Sequence, residues 1–563
     1  MAFGQQFADP GGGAIGAFRV YSTDDQIANA RFYFIESTAP DNVEQGFDPG
    51  GKTPDGLSPV DPDEAVKAIA ELLTPADDPG ADANLVVMSH GFNTPRDSAL
   101  KFYAKALEAI TKDRDSLFGA PSRRTVCVGY RWPSERIGSV LNSSLSALPA
   151  FPLIILVVAA LAILLAAWII VVLLKLLTAP EASLLWRLEL AVIWVGLLLV
   201  FTIVILALLR AIVYFRDVYR ATNYGVPDLV EVIRQIDREA VSRLEKLGED
   251  AAASQRRRIA LSFIGHSMGA LVVTNAIRVL SDVFKRDVIR TFLSGRLRPE
   301  IAARERGTDD DAVSGRIGHV FTLTRFVLVS PDIPAEALIA DRANFLASSL
   351  RRFREAYLFS NEGDEVLRAI STSVNYFTFP TMSRIYGYRL GNAEILASAF
   401  GATPSGPNLL DIVRAGIKNL AYLSGKVTGH KATVVARAFT YFDCTDYIDG
   451  TPPRGMLTEA LNFKRNDPNA AIPLWEQFKL LILYLMGRVD VHGGYFDGET
   501  TQRLIYRLAC LGFDESLAAY GGEDAMLGEC AGHQIRVMLS DRLPMRTEKP
   551  RESMNLSDSA PAA

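Results

Sequence analysis

The chain has 563 residues, 49% of them hydrophobic and 22% charged, which excludes a disordered chain and leaves room for more than one module around a large buried core. Lys and Arg number 59 against 64 Asp and Glu, for a net charge of −5, and no basic block interleaved with aromatics tracks a phosphate backbone, so nucleic acid is excluded as a partner. The four cysteines, Cys127, Cys444, Cys510 and Cys530, are widely spread without a CxxC pair, which argues against a disulfide framework or a zinc ribbon and fits a reducing compartment.

The start of the chain, Met1 through Gln5 to the glycines Gly11–Gly13, lacks the basic and apolar regions of a signal peptide. Residues 1–83 read as an N-terminal strand and a surface lead-in, because Pro40–Ala83 is rich in Pro, Gly and Asp around one short helical stretch, Glu64–Leu73. Residues 84–150 read as the first part of an α/β domain. Leu85–Met88 and Thr125–Tyr130 are apolar runs suited to strands buried on both faces, and Ser98–Ile110 between them has helical spacing.

Two uncharged apolar runs follow, Phe151–Leu174 and Leu190–Leu209, joined by a short connection with Lys175, Pro180, Glu181 and Arg187. A 24-residue run at 1.5 Å per residue covers a hydrocarbon core of about 30 Å. Residues 151–209 are therefore expected to form a transmembrane helical hairpin, since buried core helices of a soluble protein seldom run so long without a polar face. Arg131, Arg136, Arg210, Arg216 and Arg220 flank the hairpin on one side and only Lys175 and Arg187 on the other, so the large part is expected to be cytoplasmic.

Residues 210–540 continue the alternation. Asp228–Leu247 and Ala270–Phe284 have helical spacing, while Ile259–Ile264, Phe326–Ser330, Ala356–Phe359 and the longer Thr433–Phe442 read as strands. Arg296–Gly315, with Asp309–Asp311, reads as an exposed insertion, and 541–563 as a disordered tail. Strands alternating with helices on both sides of the hairpin predict a mainly parallel sheet flanked by helices.

The chemistry begins at Gly265-His266-Ser267-Met268-Gly269, a G-x-S-x-G pattern between a hydrophobic strand and an apolar-periodic helix. The pattern turns up by chance in roughly one chain in six of this length, so its position carries the argument. A nucleophile elbow at Ser267 needs positive-φ backbone and small residues two before and two after, where any side chain would clash. Upstream, Leu85–Asn93 reads LVVMSHGFN, a buried strand ending in His-Gly. In such enzymes the loop after this strand and the residue after the nucleophile each donate one N–H to an oxyanion hole, here Phe92 and Met268. His90 would shape that loop without carrying protons, and Trp132 and Pro133 would pack around it.

HGFNT at His90–Thr94, RWPS at Arg131–Ser134, GHSMG at Gly265–Gly269 and SPD at Ser330–Asp332 together resemble a bacterial α/β-hydrolase family of uncharacterised function, over most of Leu85 to about Leu511. The resemblance implies an α/β-hydrolase fold and a triad in the order Ser, Asp, His. The hairpin and the long stretch between Asp443 and His492 depart from it.

Catalytic groups in open parallel sheets gather beyond the carboxyl ends of strands. His319 and His430 precede strands, whereas His492 follows the last one, which makes it the expected base, with His533 in reserve. Asp364 follows the Ala356 strand directly, where the resemblance places the acid, and Asp332 follows the preceding strand as the second candidate. The expected protein is a membrane-anchored serine hydrolase that cleaves an ester or thioester, preferred over an amide by fold analogy alone, without metal or organic cofactor. A hairpin anchor admits a small-molecule or lipid-derived ester as substrate. The competing class is a non-catalytic membrane scaffold that keeps a hydrolase fold; a transporter is disfavoured because the two spans carry no ionisable residue.

Overall fold

The computed structural model describes residues 18–23, 29–40, 56–75, 82–118, 123–134, 213–246, 259–280, 316–334, 352–371, 389–395, 439–459 and 472–540, with a few shorter pieces. Its centre is one sheet. In chain order the strands are β1 Phe18–Thr23, β2 Ala30–Ser37, β3 Leu57–Val60, β4 Asp82–Ser89, β5 Arg123–Arg131, β6 Ile259–His266, β7 Arg316–Ile317, β8 Phe321–Val329, β9 Glu355–Ser360, β10 Phe439–Asp443 and β11 Arg536–Met538. Across the sheet the order is β11-β10-β9-β8-β6-β4-β5-β2-β1-β3, with β7 lying against β8. From β10 to β2 every neighbour is parallel; β11, β1, β3 and β7 pair antiparallel at the margins.

The central strands are buried on both faces, as their unbroken apolar runs predict. In β4, Leu85 and Val87 enter one core while Val86 and Met88 enter the other. Helices α1 Pro62–Leu73, α4 Val226–Lys246 and α5 Met268–Leu280 cover the first face, and α2 Arg96–Lys112, α3 Arg114–Phe118 and α7 Glu499–Cys510 the second. Between α4 and α7 in sequence, α6 spans Leu474–Leu485; beyond α7 come α8 Phe513–Tyr520 and α9 Glu523–Gly532. The stripe Leu229, Val232, Ile233, Ile236, Ala240 and Leu244 gives α4 its buried side. Asp61 caps α1 by accepting from the N–H groups of Asp63 and Glu64 at 3.0 and 3.1 Å.

Strand β4 sits between β5 and β6, so the chain reverses its direction of travel across the sheet there. The connection leaving β4 enters α2 on one face; that leaving β6 enters α5 on the other. A crevice therefore opens between the carboxyl ends of β4 and β6, the position at which open α/β sheets place ligands.

Several sequence expectations change. Residues 1–83 are not only a lead-in: β1, β2 and β3 extend the main sheet, and α1 buries Ala65, Val66, Ile69, Ala70 and Leu73. The Pro- and Gly-rich stretch around 41–52 that prompted that expectation lies outside the described residues. So do Arg296–Gly315, residues 541–563, residues 433–438 and most of the two apolar runs. Within the first run, residues 165–174 are helical with Leu165, Trp168, Ile170, Val171 and Leu174 exposed. Among the described residues no helix is long and apolar enough to cross a membrane. Of the arginines counted above for orientation, Arg131 and Arg220 are buried and Arg216 is half-buried beside Asp217, while Arg136 and Arg210 lie outside the described residues.

Asp228, in the first turn of α4, accepts a hydrogen bond from Ser37 Oγ at the end of β2. Burial pushes its carboxyl up to about 7 against that hydrogen bond. A folded value above the unfolded one means the favourable contribution is complete below about pH 4 and is lost as pH rises through about 7. Asp228→Asn, which keeps an acceptor for Ser37 and cannot ionise, is expected to raise the unfolding midpoint at pH 8.5 and leave it nearly unchanged at about pH 3.5, below the unfolded value. Equal shifts at both pH values would contradict the assignment.

Candidate active site

Ser267 lies between β6 and α5 at φ 53°, fully buried. Its conformation is fixed from the neighbouring strand ends: Ser267 N donates to Val329 O at 3.0 Å and Ser267 O accepts from Asp332 N at 3.1 Å. The flanking glycines are required by space. A Cβ on Gly265 would stand 2.6 Å from Ala270 Cα, and one on Gly269 would stand 2.4 Å from the carbonyl oxygens of Ser89 and His90. Gly91 is equally constrained, since its Cβ would come within 2.8 Å of Ser267 Cβ.

His492 Nε2 is 2.7 Å from Ser267 Oγ, and its Nδ1 is 2.7 Å from Asp364 Oδ2. The structure thus brings together the three residues expected to form a triad. Asp364 is fully buried in the turn after β9 and accepts from Leu367 N at 3.1 Å and from Ser330 Oγ as well as from the imidazole. Burial alone would lower the His492 pKa; the charge and hydrogen bond of Asp364, with Asp490 and Asp332, outweigh it and raise the value above 6.5. A neutral imidazole so placed can take the serine proton, and the carboxylate holds the tautomer that leaves Nε2 free to accept.

The loop after β4 is held just as closely. His90 Nδ1 is 2.7 Å from Gly91 O, so the trans peptide that follows points the Phe92 N–H the opposite way. Burial pushes the His90 pKa down to about 3, which keeps the ring neutral and its role that of shaping the loop. Trp132 stacks on the His90 ring with centroids 5.0 Å apart and donates from Nε1 to His90 O at 3.0 Å. Among the described residues neither the Phe92 nor the Met268 amide donates to a protein acceptor, as suits a pair of oxyanion donors.

Other candidates fall elsewhere. Asp332 directs its carboxylate to Ser371 Oγ at 2.6 Å and Arg389 Nε at 3.4 Å. His533 makes its contacts with Ile448 O and Asp449, and His319, at the amino end of β8, binds Asp237; His430 lies outside the described residues. Two residues given no role of their own from sequence support the base. His266 Nε2 is 3.2 Å from His492 O, and Asn361 Nδ2 donates to Val491 O at 2.8 Å. Asp490 Oδ1 accepts from the N–H groups of His492 and Gly493, a turn that the spacing D-x-H-G could have signalled. A cavity of about 680 Å³ lies apart from this site, between α2 and β2, β4 and β5; its lining is mainly apolar, with Arg96, Asp97 and Lys101 among it, and contains none of the triad.

No protein-family model, curated protein or solved structure matches the chain, so its chemistry is read from its own geometry.

The raised His492 value depends on Asp364, and burial opposes it. In an NMR titration of the imidazole, Asp364→Asn is expected to move the His492 midpoint from above 6.5 to below it, because desolvation then prevails. An unchanged midpoint would separate the two residues.

Proposed function

We propose that the chain is a serine hydrolase of the α/β-hydrolase fold that cleaves an ester or thioester and is anchored at a membrane by the apolar runs 151–174 and 190–209. The observation that carries the activity is the continuous chain Ser267 Oγ, His492 and Asp364, with 2.7 Å at each link, at a positive-φ turn between strand and helix. Supporting the fold assignment are the parallel strands β4, β5, β6, β8, β9 and β10, with nucleophile, acid and base following β6, β9 and β10 in turn. For the membrane, the support is the sequence of the two runs together with the exposure of Leu165, Trp168 and Val171.

In the proposed reaction Ser267 Oγ attacks the carbonyl carbon while its proton passes to His492 Nε2. The carbonyl oxygen takes up the electron pair and is stabilised by the amides of Phe92 and Met268, each contributing about 10²-fold or more. His492, now an imidazolium opposite the Asp364 carboxylate, gives the proton to the leaving oxygen or sulfur as the bond to carbon breaks. Water then attacks the acyl carbon while His492 takes one of its protons, and the second tetrahedral intermediate collapses with cleavage of the bond to Ser267 Oγ, which receives the proton back from His492 as the acid is released.

A fluorophosphonate probe and short p-nitrophenyl esters test this directly. The native chain is expected to be labelled and to turn over ester; Ser267→Ala and His492→Ala are expected to abolish both, and Asp364→Asn to reduce kcat by on the order of 10⁴-fold through the wrong tautomer. Absence of labelling and turnover across acyl lengths would give precedence to the scaffold reading.

The anchor is tested separately by fractionation. Replacing 151–209 with a short linker is expected to move the chain from the membrane to the soluble fraction; a native chain found wholly in the soluble fraction would overturn the anchor and leave the chemistry standing.

A further inference from the structure

The segment that carries both apolar runs is flanked by Ser134 on one side and Val213 on the other, both among the described residues. Its two stems meet on the loop that follows β4. Asp217 Oδ2 accepts from Ser134 Oγ at 2.6 Å and from Asn93 N at 2.7 Å, and Ser134 Oγ in turn accepts from Thr94 N at 3.0 Å. Arg216 Nε reaches the other carboxylate oxygen of Asp217 at 3.0 Å. Asp217 is fully buried, and a buried carboxylate persists only with such donors around it.

The loop these stems grip is the one expected to supply an oxyanion donor. Asn93 stands at φ 55°, a left-handed conformation that asparagine tolerates, and Asp217 holds its N–H. The carbonyl on the same peptide, Phe92 O, accepts from Thr94 Oγ1 at 3.1 Å, so the peptide after Phe92 is fixed at both ends. One turn before Asp217, on the same helix face, Tyr214 packs edge-on against Phe92 with ring centroids 5.6 Å apart. Further along the helix, the π-helical turn Ala221–Gly225 brings Gly225 so close to Trp132 that a Cβ there would stand 2.8 Å from Trp132 Cβ. Trp132 is the residue stacked on His90. Residues 214–225 thus touch the loop through Phe92, through Asn93 and, by way of Trp132, through His90.

We propose that Ser134 and Asp217 are positioning residues that set the Phe92 amide for the oxyanion, so that the two stems of the inserted segment determine the turnover of the site. The inference rests on the serine-hydrolase reading and adds to it the part of the chain that controls its rate. Neither residue touches the reacting atoms; both act through the loop. A displacement of an oxyanion donor by about 1 Å is enough to lower a rate by on the order of 10²-fold, and the ground-state fit of a substrate is much less affected.

The test uses the full chain with Ser134→Ala, Asp217→Ala and Asp217→Asn. For each, kcat and KM on a short p-nitrophenyl ester, the rate of fluorophosphonate labelling and the unfolding midpoint are measured. Ser134→Ala and Asp217→Ala are expected to lower kcat and the labelling rate by roughly 10- to 100-fold with KM within about twofold of native. Asp217→Asn keeps a carbonyl oxygen for Asn93 N and Ser134 Oγ and is expected to recover most of the lost rate, whereas a purely electrostatic role would not be rescued. Ser134→Ala removes only a hydroxyl, so it reports even if Asp217→Ala fails to fold. Variants with native kcat and a lowered unfolding midpoint would overturn the proposal and leave the clasp as structural support. A native chain that neither labels nor turns over ester would instead overturn the hydrolase reading itself.

Discussion

A serine at φ 53° between a strand and a helix is held there only if backbone from neighbouring elements passes within contact distance, and three glycines make that approach possible here. Gly269 lets the start of α5 lie against the carbonyls of Ser89 and His90, Gly265 lets the helix turn back over its own strand, and Gly91 lets the β4 loop lie against the serine itself. A non-glycine residue in this conformation costs about 1–3 kcal/mol and must be over-determined by its surroundings. The hydrogen bonds from Ser267 N to Val329 O and from Asp332 N to Ser267 O supply that from β8 and the loop after it. Three of the five non-glycine residues with positive φ among the described residues, Asn93, Ser267 and Ser330, stand just beyond β4, β6 and β8. Backbone strain is thus concentrated where the strands end at the crevice.

Around this point, between two apolar cores, buried carboxylates are each met by hydrogen-bond donors. Asp364, Asp332, Asp217 and Glu36 are buried acids, and each is surrounded by its own donors. Glu36 shows how far the support extends. Arg131 Nη1 binds it at 2.6 Å and Arg96 Nε at 2.8 Å, which fixes the carboxyl end of β5 and the start of α2. The next residue after Arg131 is Trp132, whose stacking on His90 carries that restraint into the loop beside the serine. Such buried pairs add little net stability compared with apolar packing; their effect is to make one arrangement of the loops much better than its neighbours.

What the sequence made legible was local. The unbroken apolar runs of β4 and β6, the helical stripe of α4 and the glycine spacing around Ser267 are patterns within about 20 residues, and each element forms where those patterns place it. His492 could be reached by elimination because it follows the last strand of the parallel set. Asp364 and Asp332 could not be separated in that way, since both follow parallel strands. They differ in what surrounds them: Ser371 and Arg389 engage one carboxylate and His492 Nδ1 the other. The role of β1 to β3 was hidden because antiparallel pairing at a sheet edge is non-local, while composition reported only the Pro- and Gly-rich stretch between them. Asp217 was hidden more deeply. Its partner Asn93 is 124 residues away, and no motif links a helix beyond an apolar insert to a loop before it.

Where the insert joins the domain also decides what it can influence. An insertion whose two ends are already in contact adds only a slowly growing loop-closure entropy and leaves the sheet undisturbed, and the Ser134 Oγ to Asp217 Oδ2 hydrogen bond is such a contact. The same tolerance would hold at the amino ends of the strands, far from the chemistry. Here the stems instead follow β5 at its carboxyl end, next to β4 and one strand from β6. The stems of the insert and Ser267 therefore stand at the same, carboxyl edge of the sheet. The loop that carries Phe92 lies at that edge, beside the serine, and it is the loop that the stems of the insert hold in place.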